Sequence, residues 1–268
     1  METPKSILVP VDFSEVTETV TNAALQLAGR TGRRITLLHV KHMRSDPGVG
    51  KRLEKLAASI ADKGVECDLV IREGSIFREV SAEAANGRYA FALIGSHGFK
   101  GFREVMFGAD ILKLLKLIPV PVITVLKDYV FPEKGIRKIL FPVASHTSFH
   151  LIIKAVIHFS EIFHSEVHLY SVEKPEMKWT SRLNENIALA ESELKKAGVK
   201  YQRVNEQQAS FSIGYSRQTL DYAARIQADL IALMSVPAKE HFYFADGDKE
   251  QIITNRFNIP VISTSDRT

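Results

Sequence analysis

Short continuous apolar runs alternate along this chain with segments whose apolar residues recur every three or four positions. The first run, Ile7-Leu8-Val9-Pro10-Val11, has no polar alternation and predicts a strand buried on both faces, as in a parallel sheet. Val16, Val20, Ala23 and Leu27 then fall at helical spacing, with Ser14 as the expected cap. The same alternation continues with a strand over 35–40, a helix marked by Leu53, Leu56, Ala57 and Ile60 and ending near Gly64, and a strand over 65–71. A helix over 76–85, a strand over 91–94, a helix over 111–117 and a strand over 120–125 complete the first half. Strands alternating with helices predict a parallel sheet with helices on its faces.

The pattern then repeats. A shift of 132 carries Ile7-Leu8-Val9-Pro10-Val11 onto Ile139-Leu140-Phe141-Pro142-Val143, and Val20, Ala24 and Leu27 onto Ile152, Val156 and Phe159. Leu37 and Val40 become Leu169 and Val172. After a few inserted residues the offset settles at 139, where Pro121-Val122-Ile123 meets Pro260-Val261-Ile262. The chain reads as two copies of one unit, residues 1–128 and 136–268, joined near Asp128–Gly135 by a polar, turn-rich link too short to let the halves drift apart.

Composition adds limits. At 268 residues each half is long enough to bury a core without metal or disulfide staples. One cysteine, Cys67, cannot form an internal disulfide and suits a reducing compartment. There is no 18-residue apolar run and no signal-peptide core before the first strand, so a cytoplasmic location is expected. The net charge of +4 divides as +3 and +1 between residues 1–132 and the remainder, with no basic tail, and lends no support to nucleic-acid or membrane binding.

The chemistry concentrates after the fourth strand. Gly95-Ser96-His97-Gly98 is followed nine residues later by Gly108-Ala109, at the start of a helix. Glycine at a strand's C-terminal end lets backbone approach a ligand and turn amide groups inward. The free N–H groups and dipole of a helix N-terminus favour an anion, and the C-terminal edge of a parallel sheet is where such folds bind ligands. Phosphate binding is therefore the expectation for this loop, against a purely structural loop.

The Gly-x2-Gly-x9-Gly pattern lies between an apolar strand and a helix ending in Pro-Val-Pro-Val-Ile. With the opening Ile-Leu-Val-Pro-Val-Asp-Phe-Ser and the Leu-Leu-His-Val of the second strand, it resembles the universal stress protein family. The resemblance covers residues 5–126 and, as a degenerate copy, 137–264. It implies an α/β fold of two doubly wound, five-stranded parallel-sheet domains in tandem, Rossmann-like and similar to adenine-nucleotide alpha-hydrolases. It also implies that the strands at 120–125 and 261–264 lie antiparallel across an internal domain–domain interface, with homodimerisation and unknown protein partners left open. In the family's ATP-binding members, the positions matching Pro10, Val11, Asp12, Val40 and Gly95 surround adenine and ribose. Those matching Gly98, Gly108, Ala109 and Asp110 surround the phosphates, and His97 is a ligand-edge candidate.

Two positions depart from the pattern. Ala109 replaces the usual Ser or Thr, removing a hydroxyl whose hydrogen bond is worth about 0.5–1.5 kcal/mol, more toward a charged acceptor. Asp110 either stabilises the helix end or opposes a phosphate, a repulsion that Lys100 and Arg103 would offset. Asp12 is either a ribose or adenine contact or a cap. In the second half, Gly95, Gly98 and Asp12 become Met234, Pro237 and Ala144, and Gly247 is followed by Asp248, so no ATP is expected there.

Other candidates have plainer readings. His39 in its strand is expected to be packed and satisfied, Cys67 lacks zinc-like spacing, and Asp246-Gly247-Asp248-Lys249-Glu250 reads as a solvated turn rather than a calcium loop. Phe242-Tyr243-Phe244 either covers the degenerate pocket or offers a partner surface. The expected function is a stress-response sensor or regulatory module binding ATP, ADP or AMP, with or without magnesium, in the first domain. The alternatives are a protein-interaction scaffold with vestigial pockets and a slow ATP hydrolase. No Walker lysine, general base or metal-binding carboxylate pair is evident, which weighs against turnover.

Overall fold

The computed structural model describes residues 5–41, 48–96, 108–173, 181–207, 215–236 and 245–267, with the side chains of 108–109 excepted. In the first half the strands are β1 (Ser6–Pro10), β2 (Ile35–Lys41), β3 (Cys67–Glu73), β4 (Tyr89–Gly95) and β5 (Val122–Val125). The helices are α1 (Thr17–Thr31), α2 (Val49–Ala61), α3 (Ile76–Ala84) and α4 (Gly108–Leu115). The second half repeats them as β6 (Lys138–Pro142), β7 (Glu166–Glu173), β8 (Tyr201–Gln207), β9 (Leu230–Met234) and β10 (Val261–Thr264), with α5 (Phe149–Phe163), α6 (Ser181–Lys196), α7 (Tyr215–Ile226) and α8 (Asp246–Ile253).

All ten strands form one sheet in the order β3-β2-β1-β4-β5-β10-β9-β6-β7-β8, the second half mirroring the first about its centre. Pairing is parallel within each half and antiparallel where the halves meet, with Val261 opposite Thr124, Ile262 opposite Ile123 and Ser263 opposite Val122. The join expected between the strands at 120–125 and 261–264 is thus present. It gives each half's outermost short strand a neighbour and leaves no open edge at the centre.

The apolar runs are buried as their lack of alternation requires: all five residues of β1, β9 and the first six of β2 are shielded. The outer strand β3 faces solvent over much of its length. One core runs through both halves, and Phe91 of β4 meets Phe159 of α5 at 5.3 Å between ring centroids. The repeat extends to backbone detail. Gly32 closes α1 in the left-handed region at φ 62°, and 132 residues later His164 closes α5 at φ 52°. Glycine takes that conformation freely; His164 adopts it too, and in both the cap N–H bonds back into the helix, to the Ala28 and Ser160 carbonyls.

Two local expectations change. Ser14 does not cap α1: Val16 occupies the N-cap position, and Ser14 instead uses its carbonyl to accept from the Thr17 N–H. Residues 246–250 are not a solvated turn but the opening of α8, which packs against α4; Asp246 pairs with Lys116 at 2.6 Å across the junction of the halves. Among the described residues no helix is long and apolar enough to cross a membrane.

Candidate functional site

In the order β3-β2-β1-β4-β5 the chain winds outward from β1 in one direction and then returns to wind in the other. The crevice between the C-terminal ends of β1 and β4 is therefore the topological switch point, where side chains and backbone are least covered by crossover loops. Pro10 ends β1, Val11 and Asp12 follow it, Val40 lies near the end of β2, and Gly95 ends β4. Parallel pairing puts all five on one edge of the sheet. Gly108, Ala109 and Asp110 form the first turn of α4. His97, Gly98, Lys100, Arg103, Pro237 and Phe242-Tyr243-Phe244 lie outside the described residues.

Asp12 is the chemically distinctive member. Its Oδ1 accepts the Ser14 N–H at 3.0 Å, while Oδ2 is buried and meets no partner among the described residues. Burial raises the Asp12 pKa, opposed by the bonds from Ser14 and the nearby His39. The backbone around it is constrained: Phe13 holds a positive φ of 60°, uncommon for a bulky residue and sustained only where the surroundings over-determine it. Arg52 lies 4.2 Å over the Phe13 ring, which in turn packs on His39 at 5.4 Å.

His39 is packed and satisfied, as expected from its place in a strand. It is 8% exposed and its Nδ1 lies 2.8 Å from the Val11 carbonyl, an acceptor only, so Nδ1 carries the proton. Its role is to hold the turn that presents Asp12.

Gly95 has a more specific cause than expected. Its φ is not positive; instead, a Cβ built there would stand 2.4 Å from Val16 Cγ1 and 2.9 Å from Cγ2. The strand end must lack a side chain because the N-cap residue of α1 occupies that space. In the second half the corresponding N-cap is Ser148 and the corresponding strand end is Met234: the bulk has moved from helix cap to strand. Gly95→Ala is accordingly expected to cost about 1–3 kcal/mol through overpacking against a stiff β-branched side chain. Adding Val16→Ser should recover most of that loss, which urea unfolding of the single and double variants measures.

The second-half crevice is filled from within. Ala144 stands where Asp12 does, and the Asn186 side chain donates to the carbonyls of Ala144 and His146 at 2.7 and 2.9 Å. Pro142, Phe149, Met234 and Lys249 close around a residual cavity of only 10 Å³, about enough for one water. Lys249 is 1% exposed, donates through Nζ to the Val236 carbonyl, and stands at the position matching Asp110. Its pKa is pushed down to about 8 by burial, with the Asp246 carboxylate opposing.

Sequence reasoning passed over Lys249, although the 139-residue offset that pairs Gly108 with Gly247 pairs Asp110 with it. It also passed over Glu83. This carboxylate is 2% exposed on α3 and is surrounded by Arg72 and Arg88 at 2.5 Å, Tyr89 at 2.6 Å and Asn86 at 2.7 Å. An acidic residue three positions after Val80 on the inward face of an amphipathic helix was the available signal. Cys67 is free and half-buried, its thiol pushed up to about 11 by burial and the neighbouring Asp68. Among the described residues no group of three or more His, Cys, Asp or Glu is placed to hold a metal ion.

Residues 4–125 match the universal stress protein family. No curated protein is a significant match to the chain. Among solved structures, a universal stress protein from Archaeoglobus fulgidus DSM 4304 superposes with a TM-score of 0.71 at 15% identity, covering 97% of this chain and 96% of that one. A protein of unknown function from Pseudomonas aeruginosa PAO1 gives 0.65 at 18% identity, covering 99% and 94%. A universal stress protein in complex with cAMP matches 47% of this chain and 100% of its own, at 11% identity and a TM-score of 0.39. The first half of the chain, over residues 4–125, thus matches the universal stress protein family, and the second half repeats the same fold.

Proposed function

We propose that this protein binds an adenine nucleotide in the switch-point crevice of its first half and acts as a regulatory module of the stress response, with the second half as a ligand-free partner. The observation that carries this reading is the buried Oδ2 of Asp12 at the C-terminal edge of β1, which has no partner among the described residues. A carboxylate oxygen shielded from water without a donor is costly, and a ribose hydroxyl supplies that donor. Pro10, Val11 and Val40 would flank adenine and ribose, and the start of α4, with Gly108, Ala109 and Asp110, would lie toward the phosphates together with Gly98. Magnesium, where present, would be held through the phosphates.

The second half supports the asymmetry. Ala144 stands there in place of Asp12 and removes its bonding capacity, and the Lys249 side chain is folded into the crevice. Asp12→Asn tests the reading. It keeps the shape but replaces one carboxylate oxygen by an amide donor, so affinity for ATP and AMP should fall about 10–100-fold, matching a charge-assisted hydrogen bond of about 1.5–3 kcal/mol. Calorimetric titration measures this, and unchanged affinity would remove Asp12 from the site.

A further inference from the structure

Two cavities lie along the junction of the halves. One lies where the end of β5 and the N-terminal turn of α1 meet the loop before β10. It has a volume of 320 Å³ and is bordered by Glu15, Lys127, Asp128, Asn255 and Arg256, together with Val16 and Leu126. The other lies where the end of β10 and α5 meet the loop before β5. That cavity, of 260 Å³, is instead walled by Phe91, Val120, Pro121, Leu151, Ala155 and Phe159. The first cavity thus mixes charges and amides with two apolar side chains, whereas the second is walled mostly by apolar ones.

The two hydroxyl residues at its floor are already committed. Ser265 donates to the Ile118 carbonyl at 2.8 Å, and Thr264 donates to Met234 Sδ at 3.2 Å. Both of these hydroxyl protons are spent, and most of the remaining lining is apolar side chain, so the cavity favours an apolar body. The rim differs. Lys154 and His158, one turn apart on α5, border the opening, and among the described residues no carboxylate pairs with Lys154. Arg33 lies near His158 from the first half, and Glu161, one turn further along α5, is the acidic group acting on the same imidazole. Among the residues lining the cavity Lys154, with His158 beside it, is the charged one and no carboxylate is present, which favours an anion there.

We propose that the second cavity is a binding site for a small amphipathic carboxylic acid, its apolar body enclosed and its carboxylate paired with Lys154 beside His158. The volume lies just below the roughly 300–1,000 Å³ of drug-sized pockets, which sets the size as that of a short aliphatic or single-ring acid. The site is separate from the nucleotide crevice and contains residues of both halves, so occupancy would tie them together.

The test uses the full chain with octanoate and 3-phenylpropionate as probes and octanol as the uncharged control, followed by calorimetry. One acid or both should bind saturably with one site per chain, at least ten-fold more tightly than octanol. Lys154→Glu, an exposed substitution, should lower acid affinity at least ten-fold and leave octanol binding unchanged. Ala155→Met, which fills the cavity, should abolish both acid and octanol binding, and a far-ultraviolet spectrum identical to the parent's shows that the fold survives. If Ala155→Met does not fold, Lys154→Glu alone decides. Equal binding of acid and alcohol, acid binding indifferent to Lys154→Glu, or no saturable binding of either acid at millimolar concentration overturns the proposal.

Discussion

Glu83→Gln is expected to destabilise the protein by about 3 kcal/mol at pH 7. The carboxylate is fully shielded, yet the guanidinium groups that pair with it, Arg72 and Arg88, are about half exposed, at 49% and 60%. The substitution therefore leaves the arginines able to rehydrate, which places the loss at the lower end of what breaking a buried pair costs. The amide oxygen can keep the bonds that Tyr89, Arg88 and Asn86 give to Oε1, but the NH2 in place of Oε2 then faces the Arg72 guanidinium, donor against donor. Burial alone would raise the Glu83 pKa; the bonds from Tyr89, Arg72 and Arg88 outweigh it and hold the carboxyl at about 2, against 4.5 ordinarily. Because the folded pKa is depressed, this stabilisation is complete above pH 4.5 and is lost as pH falls toward 2. Urea unfolding at pH 7 and pH 3 should show the gap between parent and variant shrinking with acid; a gap that stays constant would mean that the charge is not what stabilises α3.

Lys249 gives a dependence of the same sign in an alkaline window, from a different cause: here burial disfavours the charged form. With a folded pKa of about 8 against 10.5, the unfolded chain binds the proton more tightly, so the parent protein gains stability as pH rises through that window. Between pH 7 and pH 10 the gain is about 2.5 kcal/mol. Lys249→Met removes the titrating group, and its stability relative to the parent should fall by that amount over the same range. The carbonyl of Val236 loses its donor in the variant, but that loss is the same at both pH values and cancels in the comparison. Unfolding of both proteins at pH 7 and pH 10 measures the difference. A parallel pH response in the two would show that Lys249 is not confined in the crevice.

These two residues also mark where sequence reasoning stopped. The alternation of buried strands and amphipathic helices, the repeat at 132 and 139, and the antiparallel junction followed from apolar spacing and from the resemblance it exposed. Such reading follows side chains that leave water, and it recovers elements that bury them. It does not see a carboxylate such as Glu83 carried inward by its helix and met there by two arginines and a tyrosine. The site was legible in part for the same reason. Asp12 and Gly95 stood out by pattern, but the reason Gly95 must be glycine is a 2.4 Å approach by Val16, a contact made only once α1 packs against β4. Ser14 shows the reverse error: a residue with the right chemistry to cap a helix sits too early, its N–H given to Asp12.

Titration of ATP into the intact protein, alongside Gly98→Val, tests the central claim most directly. The account predicts one nucleotide per chain in the parent and none in the variant, with Lys249 and Met234 keeping the second crevice closed. Two equivalent sites per chain, or a single site that survives Gly98→Val, would contradict it.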